Sequence, residues 1–218
     1  MMRNVFGALK DVPGWARELV NRVEKAGVFE TGIASDKRGR GSSVNVDVFG
    51  HDETQHLVVI QVRECVFHPG KFNRVRKDYY LIGTLEDGEP FAHPIETPAR
   101  SKKGMSSPES CVKFVQTKLW GCDEEDLPYI IRQGDVAFVP ARLPKDAEPI
   151  QEEEIILAGS HRLRAETMWR KGNDIFVTKA SLTHLPRQHS SVRLHSGVRR
   201  VVVASRAKTW GFSAPTAD

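Results

Sequence analysis

The last third of the chain is a series of short strand-forming runs separated by turn residues. From Gly134 onward, glycine, asparagine, proline and serine repeatedly interrupt segments rich in valine, isoleucine, leucine and aromatic residues. This spacing is typical of small antiparallel sheets. The sequence therefore predicts a β-rich C-terminal part, a small sandwich or an open barrel, with strands over residues 136–139, 154–158, 162–169, 174–178, 192–194 and 199–205. Gly172-Asn173 supplies residues that tolerate a positive φ, which predicts a hairpin turn there.

The preceding part of the chain mixes helices with strands. A helix is predicted over about residues 13–26, with Asp11 as a cap candidate and Gly27 at its end. Alternating valines and longer apolar runs predict strands over 44–48, 57–67 and 79–82. Two consecutive helices are expected near 107–132, the first beginning at Ser107-Pro108.

These elements together indicate an α+β protein with an N-terminal helix, a mixed central region and a β-rich C-terminal part. The predicted division is an α+β region over 1–133 and a basic β-rich region over 134–218. A single compact domain containing both is the alternative.

The chain lacks the features of membrane and disulfide-rich proteins. No run approaches the ~18 consecutive apolar residues that a membrane-spanning helix needs. Cys65, Cys111 and Cys122 are an odd number with no CxxC pair, which predicts reduced thiols. We therefore expect a soluble cytoplasmic protein that does not associate with membranes. Cys111, in the first turns of a predicted helix, is by default a small buried helix residue, and a stabilised thiolate is the alternative.

Basic charge is concentrated at the C-terminal end. Residues 159–218 contain eleven lysines and arginines but only three acidic residues, although the whole chain has a net charge of only +4. Such asymmetry favours an anionic partner. The alternative is pairing of these cations with acidic residues of the same chain, in particular Glu148, Glu152, Glu153 and Glu154.

Three basic clusters could contact nucleic acid. In the first, cations alternate with aromatic rings, a pattern by which single strands are bound. The second precedes the predicted helix at Pro108, where backbone N–H groups favour a phosphate. The third lies in the C-terminal strands. The predicted nucleic-acid contacts are Lys71, Phe72, Arg74, Arg76, Lys77, Tyr79, Arg100, Lys102, Lys103, Arg193, Arg199 and Arg200.

The leading hypothesis is a nucleic-acid-binding accessory protein that uses its basic, β-rich C-terminal surface, prefers RNA or single strands and needs no cofactor. The competing interpretation of the first cluster is a solvated loop that runs into a strand with half-buried tyrosines, and that of the second is a flexible lysine-rich loop. For the third cluster it is the charge pairing described above. Nucleotide hydrolysis is not indicated, because the chain has no G-x-x-x-x-G-K-[ST] loop.

Histidines raise a second hypothesis, a metal-dependent hydrolase. Imidazole nitrogens are common ligands of zinc and similar divalent transition metals. The candidate ligands are His161, His184, His189 and His195, although their spacing matches no compact metal motif. A polar set at Asp47, His51, Asp52, Glu53 and His56 could also bind metal or transfer protons. A third hypothesis is a homo-oligomer assembled through the oppositely charged regions.

Overall fold

The computed structural model describes residues 3–4, 12–35, 41–67, 70, 74–85, 88–95, 107–186 and 190–204. The chain divides into two compact units, the first reaching Val115 and the second spanning Gln116–Ser205. The boundary between them falls inside a helix. Within the described ranges, no helix is both long and apolar enough to cross a membrane.

Unit 1 contains one long helix and an antiparallel meander. Its elements are β1 Arg3–Asn4, α1 Gly14–Lys25, β2 Gly32–Ser35, β3 Gly41–Asp52, β4 Leu57–Phe67, β5 Arg74–Thr84, β6 Pro90–Ile95 and α2 Pro108–Trp120, of which α2 continues into unit 2. The strand order in the sheet is β1-β3-β4-β5-β6, and β2 also pairs with β3. Only the β1–β3 pair is parallel.

Apolar periodicity explains how α1 and the sheet pack. Leu19, Val20 and Val23 recur at helical spacing on α1 and are buried. They join a cluster with Val46 and Ile60, which come from one face of the meander. The helix over Gly14–Lys25 confirms the predicted one, and Gly27 follows it with φ +83°. The proposed cap Asp11 lies outside the described residues.

Unit 2 is built on one eight-stranded antiparallel sheet. A six-residue 3₁₀ helix, Glu124–Tyr129, precedes the sheet. The strands are β7 Ile131–Gln133, β8 Val136–Pro140, β9 Glu148–Pro149, β10 Glu154–Leu157, β11 His161–Lys171, β12 Asp174–His184, β13 Val192–Arg193 and β14 Arg199–Val203. Their order in the sheet is β10-β11-β12-β14-β8-β7, with β9 pairing with β11 and β13 pairing with β12.

The sheet of unit 2 supplies a core from its own strands. Phe138 of β8, Leu163 of β11, Leu182 of β12 and Val201 of β14 all belong to one buried cluster. Strands across the whole sheet therefore contribute to one continuous buried cluster. The prediction of an α+β protein with a β-rich C-terminal part is confirmed.

Two local differences from the sequence prediction have simple causes. The second of the two consecutive helices is a short 3₁₀ helix, since Pro128 lies inside it and cannot donate a backbone hydrogen bond. The β11–β12 hairpin turns at Gly172-Asn173 as predicted, but of these two residues only Gly172 has a positive φ, +57°.

The β11–β12 hairpin bends in its middle. On β11 the buried residue Met168 follows the buried residue Leu163 by five positions, and on β12 Ala180 follows Val177 by three. Because both spacings are odd, the buried side of each strand switches between these residues. Lys179, at the bend, has φ +44°, which is uncommon for a residue with a side chain. The bend changes which residues face the core on each side of it.

Candidate functional site

The start of β5 is a basic sheet edge. Arg74, Val75, Arg76 and Lys77 are all exposed. They pair with β4 on one side, whereas β6 begins to pair with β5 only at Tyr79. In the described part of unit 1, no strand pairs with residues 74–78 on the side away from β4. We call Arg74–Lys77 the β5 edge.

The three cations of the β5 edge differ in their partners. Arg76 Nε lies 2.9 Å from Asp78 Oδ2, and its side chain is 73% exposed. Arg74 and Lys77 have no acidic partner among the residues that the structure describes. These two side chains therefore keep their charges available to a ligand.

Tyr79 lies immediately after the β5 edge and makes contacts within the sheet. Its hydroxyl accepts a hydrogen bond from Gln61 Nε2 at 2.5 Å. Its ring meets Phe49 edge to face, with centroids 5.6 Å apart. A stacking role for Tyr79 stays a prediction. The other members of the first two basic clusters lie outside the described residues: Lys71, Phe72, Arg100, Lys102 and Lys103.

Ion pairs within unit 2 engage many of the C-terminal cations. Glu154 accepts two hydrogen bonds from Arg164 and lies 3.6 Å from Arg162 Nε. The hydrogen bonds from Arg164 lower the pKa of Glu154. Lys179 Nζ lies 2.9 Å from Glu166 Oε2. These contacts support the charge-pairing alternative for this part of the chain.

The predicted contacts Arg193, Arg199 and Arg200 have different environments. Arg193 is exposed at the end of β13. Arg199 is half-buried, and its Nε has no hydrogen-bond partner in the described residues. Arg200 donates hydrogen bonds to the carbonyl oxygens of Trp120, at 3.0 Å, and Gly121, at 2.7 Å. Arg193 is the one of these three most accessible to a ligand.

Two of the four predicted metal ligands come together. His161 and His184 are cross-strand partners at the open end of the β11–β12 hairpin, with ring centroids 4.7 Å apart. Both are buried, at 2% and 6% exposure. His195 is exposed in the segment between β13 and β14, and His189 lies outside the described residues.

Asp135 completes a buried polar cluster with the two histidines. Its Oδ1 lies 3.6 Å from His161 Nδ1, and Ser160 Oγ lies 3.1 Å from the same nitrogen. Among the described residues, no three His, Cys, Asp or Glu side chains are placed to share one metal ion. The cluster therefore brings two imidazoles together, with a hydroxyl within hydrogen-bond distance of one of them and a carboxylate nearby.

Sequence reasoning did not identify Asp135 as a member of this cluster. It adjoins the Gln133-Gly134 turn, and nothing local distinguishes it from an ordinary turn residue. The pairing of His161 with His184 could have been derived, because a hairpin turn at Gly172-Asn173 places residues equally distant from the turn opposite each other.

The polar set near His51 has structural contacts. Asp52 accepts hydrogen bonds from the backbone and side-chain nitrogens of Gln55, which stabilises the turn between β3 and β4. His51 and His56 both meet the ring of Trp15 edge-on. Asp47 lies 3.8 Å from Arg63. These contacts account for most of the set without a ligand.

The default interpretation of Cys111 as a small buried helix residue is confirmed, and the alternative of a thiolate there is wrong. The side chain is completely buried in unit 1, and this burial raises its pKa to about 12. The thiol therefore stays protonated at neutral pH.

Comparison with protein-family models, with curated proteins and with solved structures found no match.

Proposed function

We propose that this protein binds single-stranded nucleic acid, RNA or DNA, and that the β5 edge is its principal contact surface in unit 1. The observation that carries the proposal is the exposure of Arg74, Arg76 and Lys77 on a strand edge that no described strand of unit 1 covers. Cations at such a surface bind the phosphates of a nucleic-acid backbone and release counterions. A cytoplasmic location is consistent with this role.

The geometry favours single strands over a duplex. Duplex recognition commonly places a helix in the major groove. The exposed residues of α1 include Arg17 and Glu18 side by side, so that helix has no uniformly basic face. A strand edge with spaced cations suits a flexible backbone better, because the single strand can adapt to the spacing of the charges.

The test is a fluorescence-anisotropy titration with labelled single-stranded RNA, single-stranded DNA and duplex DNA at two salt concentrations. We expect the Arg74→Ala/Lys77→Ala variant to bind single strands about tenfold more weakly. A plot of the logarithm of its binding constant against the logarithm of the salt concentration should be less steep by about 1.4, because two phosphate contacts are lost.

The matched control is Arg142→Ala/Lys145→Ala, which removes two exposed cations from the loop between β8 and β9. This variant changes the net charge equally and should keep wild-type affinity. Equal weakening in both variants, or no binding by the wild type, would contradict the proposed surface.

A second candidate function, a metal-dependent hydrolase, is favoured by the His161–His184 pair. Ser160 Oγ lies within hydrogen-bond distance of His161 Nδ1 and the Asp135 carboxylate lies 3.6 Å from it, so this polar environment leaves the other ring nitrogen as the candidate metal ligand. Zinc held by these two imidazoles and one further ligand could activate a water molecule for hydrolysis. This candidate uses unit 2 and is independent of the β5 edge.

Metal analysis distinguishes this candidate. We expect purified protein from zinc-supplemented cultures to contain about one zinc ion per chain, and the His161→Gln/His184→Gln variant to contain none. The exposed His195→Gln variant is the control and should retain the metal. Zinc should also raise the Tm of chelator-treated wild type. A wild type that neither contains zinc nor responds to it would remove the candidate.

A further inference from the structure

Unit 2 contains a cleft of about 810 Å³ at the bend of the β11–β12 hairpin. Its volume lies in the range of known ligand-binding pockets. Pro149, Ile150 and Ala165 contribute accessible apolar lining, and Trp169 adds an aromatic ring. The cleft therefore offers an apolar surface that a ligand could cover.

The bend beside this cleft is strained. Lys179 lines the cleft with φ +44° in the middle of an eleven-residue strand. Strain of this kind is concentrated at functional sites. The Lys179 ammonium is paired with Glu166, so these two lining charges neutralise each other.

The remaining charges are separated along the cleft. Glu152 and Glu153 lie in the loop between β9 and β10, and Arg193 and His195 lie at and after β13. Glu152, Glu153 and Arg193 have no ion-pair partner among the residues that the structure describes. One end of the cleft is thus acidic and the other end is basic.

Strand pairing gives the distance between the two ends. Arg193 pairs with Ser181, Ser181 pairs with Arg164, and Arg164 pairs with Glu154, which directly follows Glu153. Three interstrand spacings separate the ends by about 14 Å. An extended peptide advances about 3.3 Å per residue and covers this distance with four to five residues.

We propose that this cleft binds an extended peptide segment with a basic side chain beside Glu152 and Glu153 and an acidic side chain beside Arg193. Each end of such a segment meets the opposite charge, while its central residues cover the apolar lining. A nucleic acid fits less well, because its phosphates would meet the two glutamates. The cleft is separate from the β5 edge and from the two buried histidines.

The experiment uses three end-blocked peptides, Ac-KAAAD-NH2, Ac-KAAAK-NH2 and Ac-DAAAD-NH2, titrated into the full chain and followed by two-dimensional NMR. The wild type should bind Ac-KAAAD-NH2 about two- to fivefold more tightly than either of the others, as expected for exposed ion pairs. The shifted amide signals should include those of Ala165, Ala180 and Leu194.

Charge reversal tests the assignment of each end. The Arg193→Glu variant should come to prefer Ac-KAAAK-NH2, and the Glu152→Lys/Glu153→Lys variant should come to prefer Ac-DAAAD-NH2. A reversed preference also shows that the variant is folded. Unchanged preference in both variants, no binding of any peptide, or a wild type that binds a single-stranded oligonucleotide at these residues instead would overturn the proposal.

Discussion

Arg200 shows that a cation in a basic region can serve the fold. Its guanidinium donates to the carbonyl oxygens of Trp120, the last residue of α2, and of Gly121. Terminal helix carbonyls have no partner within the helix, so a donor from elsewhere satisfies them. Arg200 also lies 3.5 Å from Asp174. Its side chain is 24% exposed, so part of this network is shielded from solvent.

We expect Arg200→Ala to lower the free energy of unfolding by about 2 kcal/mol, because two charged hydrogen bonds are lost, one of them to the partly buried carbonyl of Trp120. Urea denaturation followed by circular dichroism measures this change. Arg193→Ala is the matched control, since Arg193 is exposed. It should change stability by less than about 0.5 kcal/mol. Equal effects of the two substitutions would show that Arg200 has no special structural role.

The contact between β3 and α2 depends on a residue without a side chain. The register of β3 against β4 shifts between Val48 and Gly50, which marks a bulge. At Gly50 a Cβ atom would lie 2.7 Å from Cys111 Cβ and closer still to the carbonyl oxygen of Pro108. Glycine therefore allows the first turn of α2 to approach the strand.

Gly50→Ala should destabilise the protein by about 1–3 kcal/mol, because the backbone of β3 or α2 must shift to admit the methyl group. Thermal unfolding provides the measurement, as a lower Tm. Gly32→Ala is a suitable comparison, since a Cβ at Gly32, also in a strand of unit 1, would have no neighbour within 4 Å. A Gly50→Ala variant as stable as Gly32→Ala would mean that α2 does not pack closely on this bulge.

Across the molecule, the charge asymmetry of the sequence is reduced by pairing within unit 2. Glu154 engages Arg162 and Arg164, and Lys171 lies 2.9 Å from Asp146. The basic excess of residues 159–218 is therefore a weaker argument for an anionic partner than the count of charges suggests. Assembly of copies through opposite charges stays a prediction, for which salt-sensitive oligomerisation is the relevant observation.

Local patterns were sufficient for the α+β class, for α1 to within one residue at each end, and for the hairpin turn at Gly172-Asn173. Alternating burial, helical periodicity and turn chemistry act over a few residues, so the sequence by itself determines them. Pro128 was also visible, and its effect on the predicted helix follows from its missing N–H.

Tertiary structure alone decided which of these residues could act together. The meeting of Asp135 with His161, the capping of α2 by Arg200, and the separation of Glu152 from Arg193 across a cleft each join residues that are distant in sequence. Burial of Cys111 depends on the surrounding elements of unit 1 in the same way. Charge and residue type can be read from a sequence, but exposure and distance follow from how the strands pair and curve.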